Sequence, residues 1–406
     1  MDYDSDVLIV GGGLVGASLA LALGKAGLRV TVVEAHAFKI DQQPNYDERS
    51  IALAQGSQRI FSGLGLWEQL ADQVCPIHTI HVSDRGRFGF TRLRREEEDV
   101  PALGYVASAR VLGNTLIGAL EPLTVVELLA PAHLLDFQVT GSQVAAELEL
   151  DGASVTHQTR LLVAADGAHS SVRERLGIAT RQWDYQQTAV IANVTPEREH
   201  HNVAYERFTD TGPMALLPML GNHCALVWTV RSQQAEEVLG LSDTEFLARL
   251  QQRFGNRLGR FLKVGQRHAY RLELLRARES IRPRLALIGN AVHTLHPVAG
   301  QGFNLGLRDV AALAEVVIDA QRSGVDIGAA AVLQRYAQWR QADQRRVAAF
   351  TDGMVRIFSQ PLPPVAWLRD AGMLALDLCP PAKRWFGRLT MGRAGRLPRL
   401  ARGLHL

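Results

Sequence analysis

The beginning of the chain alternates between short apolar runs and one longer amphipathic pattern. Residues 6–10 (DVLIV) form an apolar run of strand length, and residues 14–27 follow with helical spacing that Gly27 ends. A second apolar run, residues 28–34, ends on Glu34. The pattern predicts a strand, a helix and a second strand, the unit from which parallel sheets are built.

Three glycines stand between the first predicted strand and the helix. Gly11, Gly13 and Gly16 have G-x-G-x-x-G spacing, which suits a tight turn, a close approach of backbone to a pyrophosphate, and packing of helix on strand. Glu34 is placed to accept hydrogen bonds from ribose hydroxyls. The motif predicts a dinucleotide site without choosing between NAD and FAD. Because no second copy is found, this one must serve the tightly bound cofactor.

Two helical patterns follow, each with an arginine near its start. Residues 51–70 predict a helix that begins beside Arg49, and residues 105–121 predict one with Arg110 on its first turn. Arg49 is a candidate cation near cofactor phosphates, or else part of a solvated charge cluster. Residues 76–104 are strand-like and irregular.

The next segment predicts consecutive strands that end at an Asp-Gly pair. Residues 125–162 alternate apolar and polar positions, and Asp166 follows, with Ser170 or Ser171 as the cap of a short helix. Asp166 either belongs to an ordinary turn or lies beside a pyrophosphate, where its backbone would contact phosphate.

Longer strand patterns occupy residues 188–273 and lack the alternation with helices of a parallel sheet. They predict an antiparallel sheet with turns at Gly212-Pro213 and Gly221-Asn222 and a helix near residues 243–254. Residues 331–358 predict a further helix.

The fold class is therefore α/β (α+β), a Rossmann-like domain with an inserted antiparallel-sheet domain. At 406 residues and 47% hydrophobic content the chain can form two cores. The predicted ranges are a cofactor domain of residues 1–75, 105–180 and 276–350, a substrate domain of residues 76–104 and 181–275, and a helical, basic C-terminal tail of residues 351–406.

Cysteine usage and the N-terminus bear on the compartment. Cys75, Cys224 and Cys379 lie far apart, which argues against disulfides and a cysteine metal site and favours a reducing cytoplasm. The first residues carry acids rather than the basic residues of a signal peptide, and no apolar run approaches the roughly 18 residues of a membrane span. We expect a protein that is neither secreted nor membrane-crossing.

The net charge of +3 hides a basic C-terminus. Residues 383–406 contain seven arginines and lysines and no acid, so the remaining chain is acidic. Such a tail suits an anionic membrane surface or an acidic protein partner rather than nucleic acid. A merely solvated terminus is the alternative.

A glycine-rich turn lies late in the chain, in residues 287–309 (LIGNAVHTLHPVAGQGFNLGLRD). A strand ends near Ile288, and residues 297–302 place a side-chain-poor backbone against a large flat group before a helix begins near Phe303. His293 and His296 stand three apart, but no third ligand follows, so no metal site is predicted.

Three motifs occur in one order: GGGLVG, AADGAHSSVR and LIGNAVHTLHPVAGQGFNLGLRD. Over residues 1–350 this arrangement resembles the FAD-dependent aromatic hydroxylases of the para-hydroxybenzoate hydroxylase fold. AYERFTDTGPMALLPM, CALVWTV and PVAGQGFNLGLRD are similar to the hydroxylases of ubiquinone biosynthesis.

The resemblance implies bound FAD, NAD(P)H as co-substrate and a set of cofactor contacts. Arg49 and Arg110 would contact FAD or the transient nicotinamide, and Asn290 would bind the ribityl chain where most of the family has aspartate. The implied contacts are Gly11, Gly13, Gly16, Glu34, Arg49, Arg110, Asp166, Gly289, Asn290, Pro297, Gly300, Gly302, Phe303 and Asn304.

The resemblance also implies a reaction: dioxygen adds to reduced FAD, and the flavin 4a-hydroperoxide transfers one oxygen to a prenylated methoxyphenol. Because the cofactor carries this chemistry, no nucleophilic side chain is expected, and the catalytic residues stay unknown. Tyr205 and His223 are weak candidates for the base that a phenol needs. The alternatives are hydroxylation at another ring position, a prenyl-chain reductase, or a flavin-loaded assembly subunit.

Overall fold

A computed structural model describes residues 3–37, 49–358, 360 and 362–406. In these residues the helices are α1 (Leu14–Lys25), α2 (Gln55–Gly63), α3 (Trp67–Leu70), α4 (Arg95–Glu98), α5 (Ala109–Leu120), α6 (Ser171–Arg175), α7 (Ala235–Gly240), α8 (Asp243–Phe254), α9 (Gln301–Arg322), α10 (Ala330–Phe358), α11 (Pro363–Leu378) and α12 (Pro380–Thr390). The strands are β1 (Ser5–Val10), β2 (Val30–Val33), β3 (Ser50–Ala54), β4 (Cys75–Ile77), β5 (Thr79–Asp84), β6 (Phe90–Arg94), β7 (Gly104–Ser108), β8 (Val126–Leu129), β9 (Ala132–Thr140), β10 (Gln143–Leu150), β11 (Ala153–Ala164), β12 (Thr180–Pro196), β13 (Val203–Thr209), β14 (Gly212–Met219), β15 (His223–Arg231), β16 (Phe261–Val264), β17 (His268–Ala277), β18 (Ile281–Arg282), β19 (Leu285–Leu287) and β20 (His293–Thr294).

The first sheet has the order β18-β19-β11-β1-β2-β8, and β10 and β9 extend it from β11. Strands β19, β11, β1, β2 and β8 run parallel, which confirms the predicted strand–helix–strand unit. Val10 lies opposite Ala164, and Ala164 lies opposite Leu287. Three segments that are distant in sequence therefore leave the same edge of the sheet side by side, which is where doubly wound folds bind ligands.

The second sheet has the order β20-β17-β12-β15-β14-β13-β5-β6, with β16 beside β12. All its pairs are antiparallel except β13 with β5, so the predicted antiparallel sheet is confirmed. Helix α8 covers the predicted residues and begins with a capping box in which Ser242 and Glu245 satisfy each other's backbone amides. The domain bounds themselves remain a prediction.

The predicted helix over residues 51–70 is wrong at its start. Residues 50–54 form β3, which pairs antiparallel with β7, and the helix begins only at Gln55. The helix predicted over residues 105–121 also begins as a strand, since β7 precedes α5. Short apolar runs fit both the helical and the strand period. Here the pairing of two runs that are distant in sequence makes both of them strands.

Three boundaries also shift. Gly212 begins β14 and lies opposite Thr209, so the hairpin turn is at residues 210–211 rather than at Gly212-Pro213. The late strand ends at Leu287, and α9 begins at Gln301, two residues before the predicted start. One face of this helix, with Leu305, Val310, Leu313, Val317 and Ile318, is buried throughout.

The C-terminal segment packs onto the rest of the molecule. Lys383 pairs with Glu97 and Asp377, and Arg399 pairs with Glu315 and Asp319. A merely solvated basic terminus is therefore wrong for this part of the tail. Within the described residues, no helix has both the length and the hydropathy needed to cross a bilayer.

Candidate active site

The N-terminal glycines form a tight backbone junction between β1, α1 and β11. A Cβ atom at Gly16 would lie 1.9 Å from the carbonyl oxygen of Gly11, and Gly11 has a φ of +104° beside Ala165. Around a Cβ built on Gly13, by contrast, no described atom lies within 4 Å. The first contact lets α1 pack directly on the turn, and the open position leaves room for a ligand at the N-terminus of the helix.

Glu34 follows β2 and points back at the glycine turn. Its carboxylate accepts hydrogen bonds from the Gly12 N–H, at 2.7 Å, and from the His36 N–H, at 3.2 Å. The side chain is almost completely buried. These contacts fix an acceptor at the edge where the ribose of a dinucleotide is expected.

The three strand ends enclose a cavity of about 580 Å³, which we call the cofactor cavity. Its lining includes eight of the predicted cofactor residues, and these come from both halves of the chain. They are Gly11, Gly13, Glu34, Asp166, Gly289, Asn290, Gly302 and Phe303.

Asp166 lines this cavity beyond the end of β11. Its Oδ2 accepts from the Ser171 hydroxyl at 3.4 Å and from the Val172 N–H at 3.3 Å. Its Oδ1 is buried and has no hydrogen-bond partner in the described part of the chain. Since buried polar atoms are normally paired, this oxygen indicates that a ligand belongs in the cavity.

A buried charge network supports the turn at Gly289, and Asp309 is at its centre. This carboxylate accepts from the Gly289 N–H at 3.2 Å, from His293 Nε2 at 2.7 Å and from Arg340 Nε at 2.7 Å. Burial alone raises a carboxyl pKa, but the charges of His293 and Arg340 hold the pKa of Asp309 well below its ordinary value. Sequence alone does not reveal this role, because nothing local to Asp309 points to residues 16 to 31 positions away.

The segment of residues 297–304 lies between two cavities. Gly302 and Phe303 line the cofactor cavity, whereas Pro297, Gly300 and Asn304 line a second one. Asn304 holds the segment in place, since its Oδ1 accepts from the Ala54 N–H at 2.8 Å and its Nδ2 donates to the Gly300 carbonyl at 2.6 Å. The side chain of Asn304 is thus a support for the turn.

The second cavity, of about 190 Å³, is predominantly apolar, and we call it the apolar cavity. Strands of the second sheet form one wall, and α10 and α12 contribute another. Its lining includes Ile80, Val82, Leu93, Ala204, Tyr205, Glu206, Phe208, Ala215, Leu217, Val227, Phe350, Met354, Phe386 and Met391. Such a lining suits an aromatic ring with an apolar substituent.

Several candidates from the sequence lie outside both linings. Arg49 places its guanidinium 5.3 Å from the ring centre of Tyr270, and Arg110 is exposed on α5. Gly16 lies behind the turn it supports. His223 is exposed and contacts Thr195, so it is not placed to act on a group in the apolar cavity.

His293 and His296 both use a ring nitrogen within the protein. His293 contacts Asp309, and His296 Nε2 lies 3.3 Å from the side-chain oxygen of Gln187. No cluster of three or more potential metal-ligating side chains occurs among the residues that the structure describes.

The cofactor cavity fits FAD. It combines two helix N-termini, those of α1 and α9, with open backbone at Gly13 and Gly302 and an unpaired oxygen at Asp166. Helix N-termini stabilise phosphates and anionic groups. A dinucleotide cavity that shares a wall with an apolar cavity is the arrangement expected of a cofactor-dependent enzyme.

Sequence comparison gives the family. The chain belongs to the family described as FAD binding domain, whose model matches residues 4–351. It is 43% identical to the ubiquinone hydroxylase UbiL of Rhodospirillum rubrum, over 100% of this chain and 94% of that protein. It is 33% identical to the 3-demethoxyubiquinol 3-hydroxylase of Escherichia coli, over 96% of this chain and 98% of that protein.

Structure comparison agrees on the fold. The chain is similar to p-nitrophenol 4-monooxygenase PnpA from Pseudomonas putida, with a TM-score of 0.81 and 20% identity over 98% of this chain and 100% of that one. The predicted Rossmann-like fold with a second, antiparallel sheet is thereby confirmed.

Proposed function

We propose that the protein is an FAD-dependent monooxygenase that uses NAD(P)H and dioxygen to hydroxylate a prenylated methoxyphenol in ubiquinone biosynthesis. The observation that carries this proposal is the turn of residues 297–304, which forms a wall of both the cofactor cavity and the apolar cavity. A substrate in the apolar cavity would therefore lie next to a cofactor in the cofactor cavity. The ubiquinone hydroxylases among the relatives support the substrate class.

Bound FAD supplies the hydride acceptor for NAD(P)H and the site at which dioxygen is activated. The chain's own residues bind and orient. Gly13 and Gly302 leave space for backbone to approach the cofactor, and Asn290, exposed at the cavity, can accept a bond from a ribityl hydroxyl. The apolar side chains of the second cavity exclude water from the ring to be hydroxylated.

We assign 2-polyprenyl-6-methoxyphenol as the substrate, with the new hydroxyl para to the phenol oxygen. The test is to supply the purified holoprotein with NADPH, dioxygen and a short-chain 2-prenyl-6-methoxyphenol. We expect a product with one additional oxygen atom, and nuclear magnetic resonance of the product gives the ring position.

Two outcomes contradict the proposal in different ways. A product that gains two hydrogens would identify a prenyl-chain reductase. Oxidation of NADPH that yields only hydrogen peroxide with every phenol tried would remove the hydroxylase function altogether.

Helices α11 and α12 carry exposed apolar side chains that bear on how a prenylated substrate enters the protein. They expose Trp367 (61%), Leu368 (73%), Leu378 (80%) and Trp385 (63%) to solvent, and this group is called the apolar face. The charged side chains of α11 pair inward, Asp370 with Arg87 and Arg369 with Asp84. Arg384 and Arg388 of α12, which stand close to Trp385 in the sequence, are exposed as well.

We propose that the apolar face rests on an anionic membrane surface. Exposed tryptophan and leucine beside arginine is the composition of an interfacial helix, and Phe386 of α12 also lines the apolar cavity. A prenyl chain could therefore pass from the lipid to the cavity along one helix.

Vesicle flotation tests this contact. The double variant Trp367→Ser, Leu368→Ser should lose about tenfold or more in its affinity for phosphatidylglycerol vesicles, because two large apolar side chains no longer insert. The matched control is Trp183→Ser, which removes an exposed tryptophan from β12. Equal binding of the double variant and the wild type would refute the contact.

A further inference from the structure

Glu206 occupies an unusual place in the second sheet. It lies on β13 opposite Ala215 of β14 and Val82 of β5, and Ala215 in turn lies opposite Val227 of β15. All four side chains line the apolar cavity. A carboxyl group therefore stands in a row of aliphatic side chains that faces the proposed substrate.

The Glu206 carboxyl has no protein partner in the part of the chain that the structure describes. Among the described residues none forms a hydrogen bond or an ion pair with it, and of the described lining residues Glu206 alone carries a charge. Burial raises its pKa from 4.5 to about 7. An unpaired carboxylate in such a place opposes folding, so a purely structural role would be filled better by an apolar residue.

The groups around Glu206 leave it as the available proton acceptor. The walls opposite it, from α10 and α12, contribute Phe350, Met354 and Phe386, none of which titrates. Its neighbour Tyr205 also lines the cavity, but burial raises the pKa of this phenol above its ordinary value, so Tyr205 is a poor base.

The cofactor turn borders the same cavity. Pro297, Gly300 and Asn304 belong to its lining together with Glu206. A phenol ring in the apolar cavity would thus lie between the turn that borders the cofactor cavity and the carboxylate of Glu206. Transfer of oxygen together with removal of the phenol proton requires this placement.

We propose that Glu206 is the catalytic base that takes the proton of the substrate's phenol hydroxyl; this inference rests on the proposed function. The O–H bond breaks, the proton moves to a carboxylate oxygen of Glu206, and the electron pair left on the phenol oxygen increases electron density in the ring. A hydroxyl group is then transferred to the ring carbon, with the electron pair of the new C–O bond supplied by the phenolate, and that carbon releases its hydrogen to water as a proton. Glu206 then returns its proton to the phenol oxygen, and the carboxylate is restored.

The test compares the pH dependence of hydroxylation in the holoenzyme and in Glu206→Gln. For the wild type, kcat should rise with pH through about 7, because only the carboxylate form accepts a proton. Glu206→Gln should lose that rise and about 100-fold or more in kcat at neutral pH, the usual range for general base catalysis. Reduction of bound FAD by NADPH should stay unchanged.

Two further variants separate the role of a base from general damage to the cavity. Glu206→Asp keeps a carboxylate and should keep the pH-dependent rise at a lower rate. Glu236→Gln changes an exposed glutamate on α7 and should leave rate and pH profile as in the wild type. An unchanged pH profile in Glu206→Gln overturns the inference while leaving the hydroxylase function intact.

A second measurement does not need turnover. Infrared difference spectra of the substrate-free holoprotein between acidic and alkaline pH should show a protonated carboxyl group that ionises near pH 7 and is missing in Glu206→Gln. If no such signal is lost in the variant, Glu206 does not titrate as a base must, whether or not any phenol is hydroxylated.

Discussion

The cofactor cavity and the apolar cavity share one turn but are constructed differently. The cofactor cavity consists largely of backbone at the ends of three parallel strands, with glycines where a ligand must approach. The apolar cavity consists of side chains from an antiparallel sheet, two helices and the turn itself. A site formed by backbone is sensitive to substitution at a few fixed glycine positions. A site formed by side chains depends instead on the volume of the cavity and on single polar groups in its lining. The substitutions below test that difference, from the largest expected effect to the smallest.

The largest effect is expected for Gly16→Val. Because a Cβ at this position would lie 1.9 Å from the Gly11 carbonyl oxygen, α1 must move away from the turn. We expect loss of FAD binding, measured by flavin absorbance of the purified protein, or loss of soluble folded protein.

The control is Gly118→Ala on α5, where a Cβ built on glycine has no described atom within 4 Å. That change should stabilise the helix by about 0.5–1 kcal/mol. If Gly16→Val binds FAD as the wild type does, the backbone account of the cofactor cavity is wrong.

The next effect is expected for Asp309→Asn. The amide removes the carboxylate that Arg340 and His293 share. Because Arg340 keeps its ion pair with Asp343, we expect a loss of about 3 kcal/mol, the lower end for a broken buried ion pair. Chemical denaturation of the holoprotein measures this free energy of unfolding. FAD affinity should fall as well, since Asp309 also holds the Gly289 N–H.

Asp319→Asn is the matched control on the same helix. Asp319 pairs with Arg399 near the surface, where an ion pair contributes at most about 1 kcal/mol. Similar losses in the two variants would show that the network around Asp309 has no special role.

These positions also show which parts of the molecule can be predicted from sequence. Gly11, Gly13 and Glu34 follow from local spacing, because a dinucleotide turn needs particular residues a fixed number of positions apart. The network of Asp309 and the carboxyl of Glu206 depend on which distant strands and helices become neighbours. The helix predicted for residues 51–54 was wrong for the same reason, since the structure of residues 50–54 depends on pairing with β7.

A third effect concerns the apolar cavity and depends on pH. The folded-state pKa of Glu206 is raised, so the unfolded chain releases this proton first, and the stability of the wild type falls as pH rises from 4.5 to about 7. Glu206→Gln removes this dependence. In the substrate-free holoprotein the variant should be more stable than the wild type above about pH 8, by at most about 3.5 kcal/mol at ~1.4 kcal/mol per pKa unit.

Thermal unfolding at several pH values measures the difference. It should disappear well below pH 4.5, where Glu206 is protonated in both states. A difference that is constant with pH would mean that the glutamine alters packing rather than charge.

The smallest effect is expected for Asn290→Asp in the cofactor cavity. Asn290 is exposed at the cavity, and its residue type departs from the family that the sequence resembles. A carboxylate accepts a hydrogen bond from a ribityl hydroxyl more strongly than an amide does, but exposure to water reduces the gain.

We expect FAD to bind Asn290→Asp more tightly by about 1 kcal/mol or less, at most roughly fivefold in the dissociation constant. Titration of the apoprotein, followed by quenching of flavin fluorescence, measures the change. The control is Asn256→Asp, at an exposed position just after α8. Weaker binding in Asn290→Asp alone would mean that the new charge lies nearer the pyrophosphate than the ribityl chain, and that FAD crosses the cavity in a different register from the one its glycines suggest.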